Sequence, residues 1–240
     1  MMHMKKKIHS HIKDNLIIGK SAKLESDVTV SQVFKKGEGP TIINDNCLVG
    51  ANSVLYSGVE IGQGATVKPG SLVDCDVPPH AIYTGNPGQI IGYNINSDYS
   101  EGVIEHKLNY IKNSSGVISI CTTGEDAPFE FKRTFTLFEI EKNATRGNHA
   151  HYECHQFLTC HNGYVDLFCD DGKNRSIIRL NNLSNSVHIL PGTWISLFNF
   201  QKKSVVNVHT SHTYDEADYI RDYKTYINYK NSKKFQIVKD

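Results

Sequence analysis

Two histidines one residue apart, His149 and His151, are the side chains here best suited to chemistry. In an extended segment, alternate residues face the same side, so both imidazoles share one face. Imidazole titrates near neutrality, which suits a general acid or base. The competing reading is a structural strand with two hydrogen-bonded histidines. Arg146 precedes the pair, and Arg133 opens an alternating segment, RTFTLFEI, in which it can point inward.

From about residue 105, short apolar segments alternate with turn signals: FKRTFTLFEI, HQFLTC, YVDLFC, RSIIRL, SVHIL, WISLFNF and SVVNVHT. Turns fall at Asn162-Gly163, Asp170-Asp171-Gly172 and Pro191-Gly192. Many short strands at this spacing predict an all-β sandwich or barrel. The Asp-Gly turn between YVDLFC and RSIIRL predicts a hairpin. The segment YDEADYIRDYKTYINY has mixed periodicity and reads as a short helix or extended arm. NSKKFQIVKD reads as a polar tail.

The run RGNHAHYECHQFLTCHNG resembles the metal-binding motif of a cupin, the double-stranded β-helix barrel. A metal cupin offers HxH, then a glutamate, then a glycine, and a fourth ligand histidine after a later Pro-Gly turn. Here Gln156 stands at the glutamate position and Ile195 at the histidine position. Two imidazoles and an amide are a poor transition-metal set. The expectation is no metal, with the histidines free for proton transfer.

The resemblance sharpens over PFEFKRTF, RGNHAHYECHQFL, DDGKNR, LPGTW and YDEADYIRDY, across about residues 105–229. These are similar to the sugar-nucleotide 3,4-ketoisomerases, the WxcM-like cupins. That resemblance implies conversion of dTDP-4-keto-6-deoxyglucose to a dTDP-3-keto-6-deoxyhexose. The product would feed 3-amino-3,6-dideoxy sugar and lipopolysaccharide synthesis, and no cofactor is needed. It makes His151 the base, with His149 orienting the sugar or relaying the proton. It makes Arg146 and Arg133 partners of pyrophosphate or enolate charge, and Gln156 a hydrogen-bond partner of a ligand or a histidine. Trp194 reads as a core aromatic; Tyr214, Asp215 and Asp218 read as holding the C-terminal arm. The chain departs from this family at Ser115-Gly116, at Phe135 and Thr136, and in Ile-Ser-Leu after Trp194.

The N-terminal part repeats differently. Ile43, Val49, Leu55, Ile61, Val67 and Val73 recur every six residues, with Cys47, Ser53, Val59, Ala65 and Ser71 two places before. That period fits a chain that turns a corner every six residues, a hexapeptide β-helix. The phase appears earlier at Ile18, Leu24 and Val30. It slips at FKKGEGP, which reads as an extruded loop. Residues 15–93, ending in Val-Pro-Pro and Gly-Asn-Pro, resemble the last coils of left-handed β-helix acyltransferases. This implies three-fold contacts and a place for acetyl-CoA in the groove between neighbouring β-helices. No histidine stands between His11 and His80, which weakens an acetyl-transfer reading, although a free amine acceptor needs no protein base.

The fold expected is therefore all-β. A left-handed parallel β-helix over 1–94 is joined by a linker, 95–104, to a cupin barrel over 105–240. The net charge of +1 gives no argument for nucleic acid or membrane as partner. No signal or transmembrane run is present, and six cysteines without CxxC spacing read as free thiols in a reducing cytoplasm. Alternatives to the isomerase are an acetyl-CoA-dependent N-acetyltransferase acting on a dTDP-3-amino sugar, a non-catalytic sugar-nucleotide-binding cupin and, more remotely, a metallocupin. The assembly expected is a homo-oligomer with three-fold contacts, extending to a trimer of dimers if a cupin dimer contact is also kept.

Overall fold

The computed structural model describes residues 15–141, 143–181 and 185–237. The basic N-terminus and the last three residues of the tail lie outside them. The chain divides after Asn94 into two compact units.

The first unit is a coil of short strands in three sheets. Ile43 pairs with Ile61, Val49 with Val67 and Leu55 with Val73, each three hexads on. These strands are parallel, and the hexad aliphatics from Ile43 to Val73 are buried together with the small residues before them. The corners are turned by left-handed residues at the same period: Asn46, Asn52, Gly58, Gly64 and Gly70 all have positive φ. Asparagine and glycine tolerate that conformation at least cost. Earlier, Ile18 pairs with Ile43 and Leu24 with Val49, three hexads plus seven residues on. The phase slip is thus an extruded loop of one coil, and its Phe34 stacks on Tyr56 at 5.3 Å. Ile18 departs from the expected pattern: it is 43% exposed, whereas Leu24 and Val30 are buried. The coil closes on an antiparallel hairpin, Ala81–Thr84 with Gln89–Tyr93.

The second unit is built on two five-stranded antiparallel sheets. One runs Val103–Lys107, Asn185–Ile189, Gln156–Asn162, Val205–Thr210, Arg133–Leu137. The other runs Arg175–Leu180, Val165–Asp170, Trp194–Phe198, Arg146–His151, Tyr219–Ile220. Leu158, Val187 and Val208 of the first and Leu167, Ile195 and Leu197 of the second share one apolar cluster. Gly163, Gly172 and Gly192 take positive φ at the three predicted turns. In the stretch read as a linker, the amides of Asn96 and Ser97 donate to the Arg175 carbonyl, and Val103 begins a strand.

The C-terminal segment holds the helix that its periodicity admitted, and the stretch read as a polar tail continues it. A 3-10 turn at Glu216–Asp218 leads to the strand Tyr219–Ile220 and then to a helix, Tyr223–Ile237. Asp222 caps that helix by accepting from the Thr225 amide at 2.7 Å. Tyr223 and Tyr226 pack on Trp194, and both hydroxyls donate to Asp170, one to its carboxylate and one to its carbonyl. Thus the tail is helical through Ile237, because its aromatic face finds Trp194. No helix among the described residues is long and apolar enough to cross a membrane.

Candidate active site

The strand Arg146–His151 carries a bulge where Gly147 and Asn148 both take positive φ. A bulge bends its strand and re-aims the side chains after it. Asn148 is fixed by donating to Thr145 and accepting from Ser196. Beyond it, His149 and His151 face the same side, their rings 4.9 Å apart and at 86°.

The two imidazoles are held in opposite ways. His151 Nδ1 lies 2.7 Å from Asp218 Oδ2, and His151 Nε2 lies 2.9 Å from Gln156 Nε2. A carboxylate only accepts, so Nδ1 carries the proton, and the Gln156 amide donates to the lone pair on Nε2. Asp218 also accepts from the amides of Glu153 and Cys154. By contrast, no side chain among the described residues hydrogen-bonds either ring nitrogen of His149; both are shielded from solvent, and the Gly147 backbone favours its charged form. Burial, reinforced by neighbouring His151, lowers the pKa of His149 to about 4. Burial also lowers that of His151, against the opposing pull of Asp218.

Tyr219 closes one side of the pair. It lies directly across the strand from His151, with their rings 4.2 Å apart, and its ring is 4.9 Å from His149. The Arg221 guanidinium sits 4.2 Å over the same ring and forks onto Glu216 through two hydrogen bonds. Glu216 is held down to about 2 by Arg221 and by the hydroxyl of Tyr214.

Of the residues singled out from sequence, Gln156 and Arg133 join the histidines. Gln156, Thr210 and Arg133 stand in one row across three strands. Arg133 Nη2 donates to the Tyr219 hydroxyl at 3.4 Å, its guanidinium lies near the rings of Phe135 and Tyr214, and its Nε is buried without a partner. Arg146 is different: it is exposed at the head of the strand, across from Leu197. Trp194 is a core residue, 2% exposed.

One group of candidate metal donors occurs among the described residues: His151, Cys154 and Asp218, whose ligand atoms lie within 4.8 Å of one another. It is not the HxH pair. Its carboxylate is already engaged by two backbone amides and an imidazole, so the set reads as a hydrogen-bonded anchor.

Residues 101–231 match the family described as WxcM-like, C-terminal, which is more than half of the chain. The chain belongs to this family. Residues 40–75 match the bacterial transferase hexapeptide repeat. The WxcM-like region is 32% identical over 124 residues to a TDP-4-oxo-6-deoxy-alpha-D-glucose-3,4-oxoisomerase of Aneurinibacillus thermoaerophilus, covering 51% of this chain and 89% of that protein. It superposes with a TM-score of 0.54 and 34% identity on a sugar 3,4-ketoisomerase from Thermoanaerobacterium thermosaccharolyticum in complex with TDP, covering 55% of this chain and 97% of that one. The hexapeptide region is 46% identical over 52 residues to a tetrahydropyridine-dicarboxylate N-acetyltransferase of Staphylococcus aureus, but spans only 22% of that enzyme.

Two residues of this WxcM-like site escape sequence reasoning. Asp218 does hold the arm, through Glu153 and Cys154, and it also grips His151. Tyr219 carries no signal of its own in the sequence. Both lie in YDEADYIRDY, and a lone acid and aromatic far along the chain from an HxH pair are the available signal. Only the pairing of Ala150 with Ile220 and of His151 with Tyr219 brings them there.

Proposed function

We propose that the second unit is a 3,4-ketoisomerase that converts dTDP-4-keto-6-deoxyglucose to a dTDP-3-keto-6-deoxyhexose, using its histidine pair and no metal or cofactor. The observation that carries this reading is the contrast between the two imidazoles. His149 is neutral, shielded and held by no side chain, the state of a base awaiting a proton. His151 is held at both nitrogens and serves to orient and polarise. The family resemblance gives His151 the base's role; the hydrogen bonds favour His149 for it. The 4-ketone acidifies the C3 proton, His149 takes it, and return of a proton to C4 completes the shift. Arg133, with its unpartnered buried Nε, is the candidate to offset enolate charge. Arg146, exposed at the mouth of the strand, is the candidate for pyrophosphate. Gln156 keeps His151 Nε2 from competing for the proton.

The first unit supports a second reading. Three parallel sheets at an eighteen-residue pitch fit a left-handed coil and three-fold contacts, with a trimer of dimers if the second unit also pairs. Acetyl-CoA would lie in the groove between neighbouring β-helices, for N-acetylation of the 3-amino sugar made downstream. Among its described residues the one histidine, His80, is buried, and its ring abuts Gly64. We therefore take assembly as this unit's main role.

Proton NMR of the purified protein with dTDP-4-keto-6-deoxyglucose tests the reading. A 3-keto product without added metal is expected. Recovery of unchanged substrate, with binding intact, would leave the non-catalytic alternative.

A further inference from the structure

The HxH pair lacks the donors of a cupin metal set, but a different set stands beside it. We propose that His151, Cys154 and Asp218 form an inhibitory site for a thiophilic divalent cation, with zinc as the ion that fits best. That the ion inhibits rests on the ketoisomerase reading; that it binds does not.

The set joins one nitrogen, one sulfur and one oxygen, whose ligand atoms lie within 4.8 Å of one another. Imidazole, thiolate and carboxylate are all zinc ligands, and three of them leave a fourth position for water. The backbone fixes their places. His151 ends its strand, Cys154 lies in the loop after it, and the Tyr152 and Glu153 amides of that loop donate to the Asp218 carbonyl and Oδ1 at 2.9 and 2.7 Å. His151 and Cys154 are both buried.

Without an ion, two hydrogens hold this anchor together. The Nδ1 proton of His151 bridges to Asp218 Oδ2 at 2.7 Å, and the Cys154 thiol donates to the His155 carbonyl at 3.3 Å. Burial, and then Asp218 nearby, raise the Cys154 pKa and keep it a thiol. A dication takes the place of both hydrogens. The thiol proton leaves to solvent, and the imidazole proton moves from Nδ1 to Nε2, so one proton is released for each ion bound. Gln156, which now donates to Nε2, turns its amide to accept there instead. Asp218 Oδ1 keeps the Glu153 amide, and Oδ2 is freed to ligate. The His149 ring lies 4.9 Å from that of His151. A dication bound beside it disfavours protonation of His149, so the base is weakened while the space for the sugar stays open.

Cobalt is the spectroscopic probe for such a site. Full-length wild type, freed of metal by a chelator, is expected to bind Co2+ with a thiolate-to-metal charge-transfer band that Zn2+ abolishes. Zn2+ should lower kcat by about tenfold or more, within the weight of a general base, and EDTA should restore it. In Cys154→Ser the band should vanish. Half-inhibition should then need at least about tenfold more Zn2+, since even outer-shell partners carry that weight. Absence of the band in wild type, its survival in Cys154→Ser, or equal inhibition of both proteins would overturn the proposal. Nitrogen-15 NMR of wild type needs no variant: Zn2+ should move the ring signals of His151, and a shift confined to other histidines would also overturn it. A wild type without turnover would instead sink the ketoisomerase reading, and the cobalt band would still decide the site.

Discussion

Asp218 and His151 meet at 2.7 Å through Oδ2 and Nδ1, and the carboxylate is pinned by two backbone amides of the loop that follows the histidine. The acid is therefore part of a closed turn that orients the ring. His151 stands across the strand pair from Tyr219, their rings 4.2 Å apart, so the carboxylate that orients the imidazole also fixes the surface the phenol packs on. Asp218→Asn would present an amide that can donate to Nδ1, favouring the wrong tautomer. A fall in kcat of roughly 10- to 100-fold is expected, within the range for a general acid–base group. KM should barely change; steady-state kinetics with the sugar nucleotide checks both.

The pH dependence follows from His149. Its folded pKa, about 4, lies below the ordinary value of 6.5 because burial and His151 disfavour its charge. The acid limb of kcat/KM should therefore lie well below pH 6. His188, also lowered to about 4 by burial and its neighbours His155 and His106, shares the consequence for stability. Between pH 6.5 and 4 the unfolded chain binds protons that the folded chain refuses, so stability falls as pH drops through that window. Thermal unfolding at pH 7.5 and pH 5 should show the lower Tm at pH 5.

Gln156→Glu places a second carboxylate against His151, opposite Asp218. Both ring nitrogens would then face acceptors, which favours imidazolium. The pKa of His151, followed by NMR, should rise, and turnover should fall at neutral pH. The same change adds one anionic donor to the two neutral imidazoles of HxH, so Ni2+ or Zn2+ affinity by calorimetry should rise above wild type.

In the first unit, Leu55 is fully buried at a hexad position paired with Val73. Leu55→Ala should cost about 2–5 kcal/mol, the range for such truncations in a core. Chemical denaturation followed by a probe in that unit reads this directly.

Much of this was legible in the chain. The six-residue period marks the coil because the interior admits one side chain per face. Gly163, Gly172 and Gly192 mark their turns because positive φ is cheapest there. His149 and His151 share a face because a strand alternates, and the bulge at Gly147 and Asn148 lies before both. What the residues did not disclose was long-range pairing. Nothing local says that Ile220 lies beside Ala150, and without that pairing Asp218 and Tyr219 read as parts of an arm. The helix from Tyr223 to Ile237 is half legible: mixed periodicity admits a short helix or an arm, and Trp194 and Asp170, far along the chain, decide it.

The central claim is that His149, uncharged and held by no side chain, removes the C3 proton while His151 is held in place. Deuterium exchange at C3 of the 4-keto sugar nucleotide, compared in His149→Asn and His151→Asn, tests it most directly. The expected result is exchange abolished by the first substitution and slowed but present in the second. Exchange surviving in His149→Asn, or lost only in His151→Asn, would contradict it.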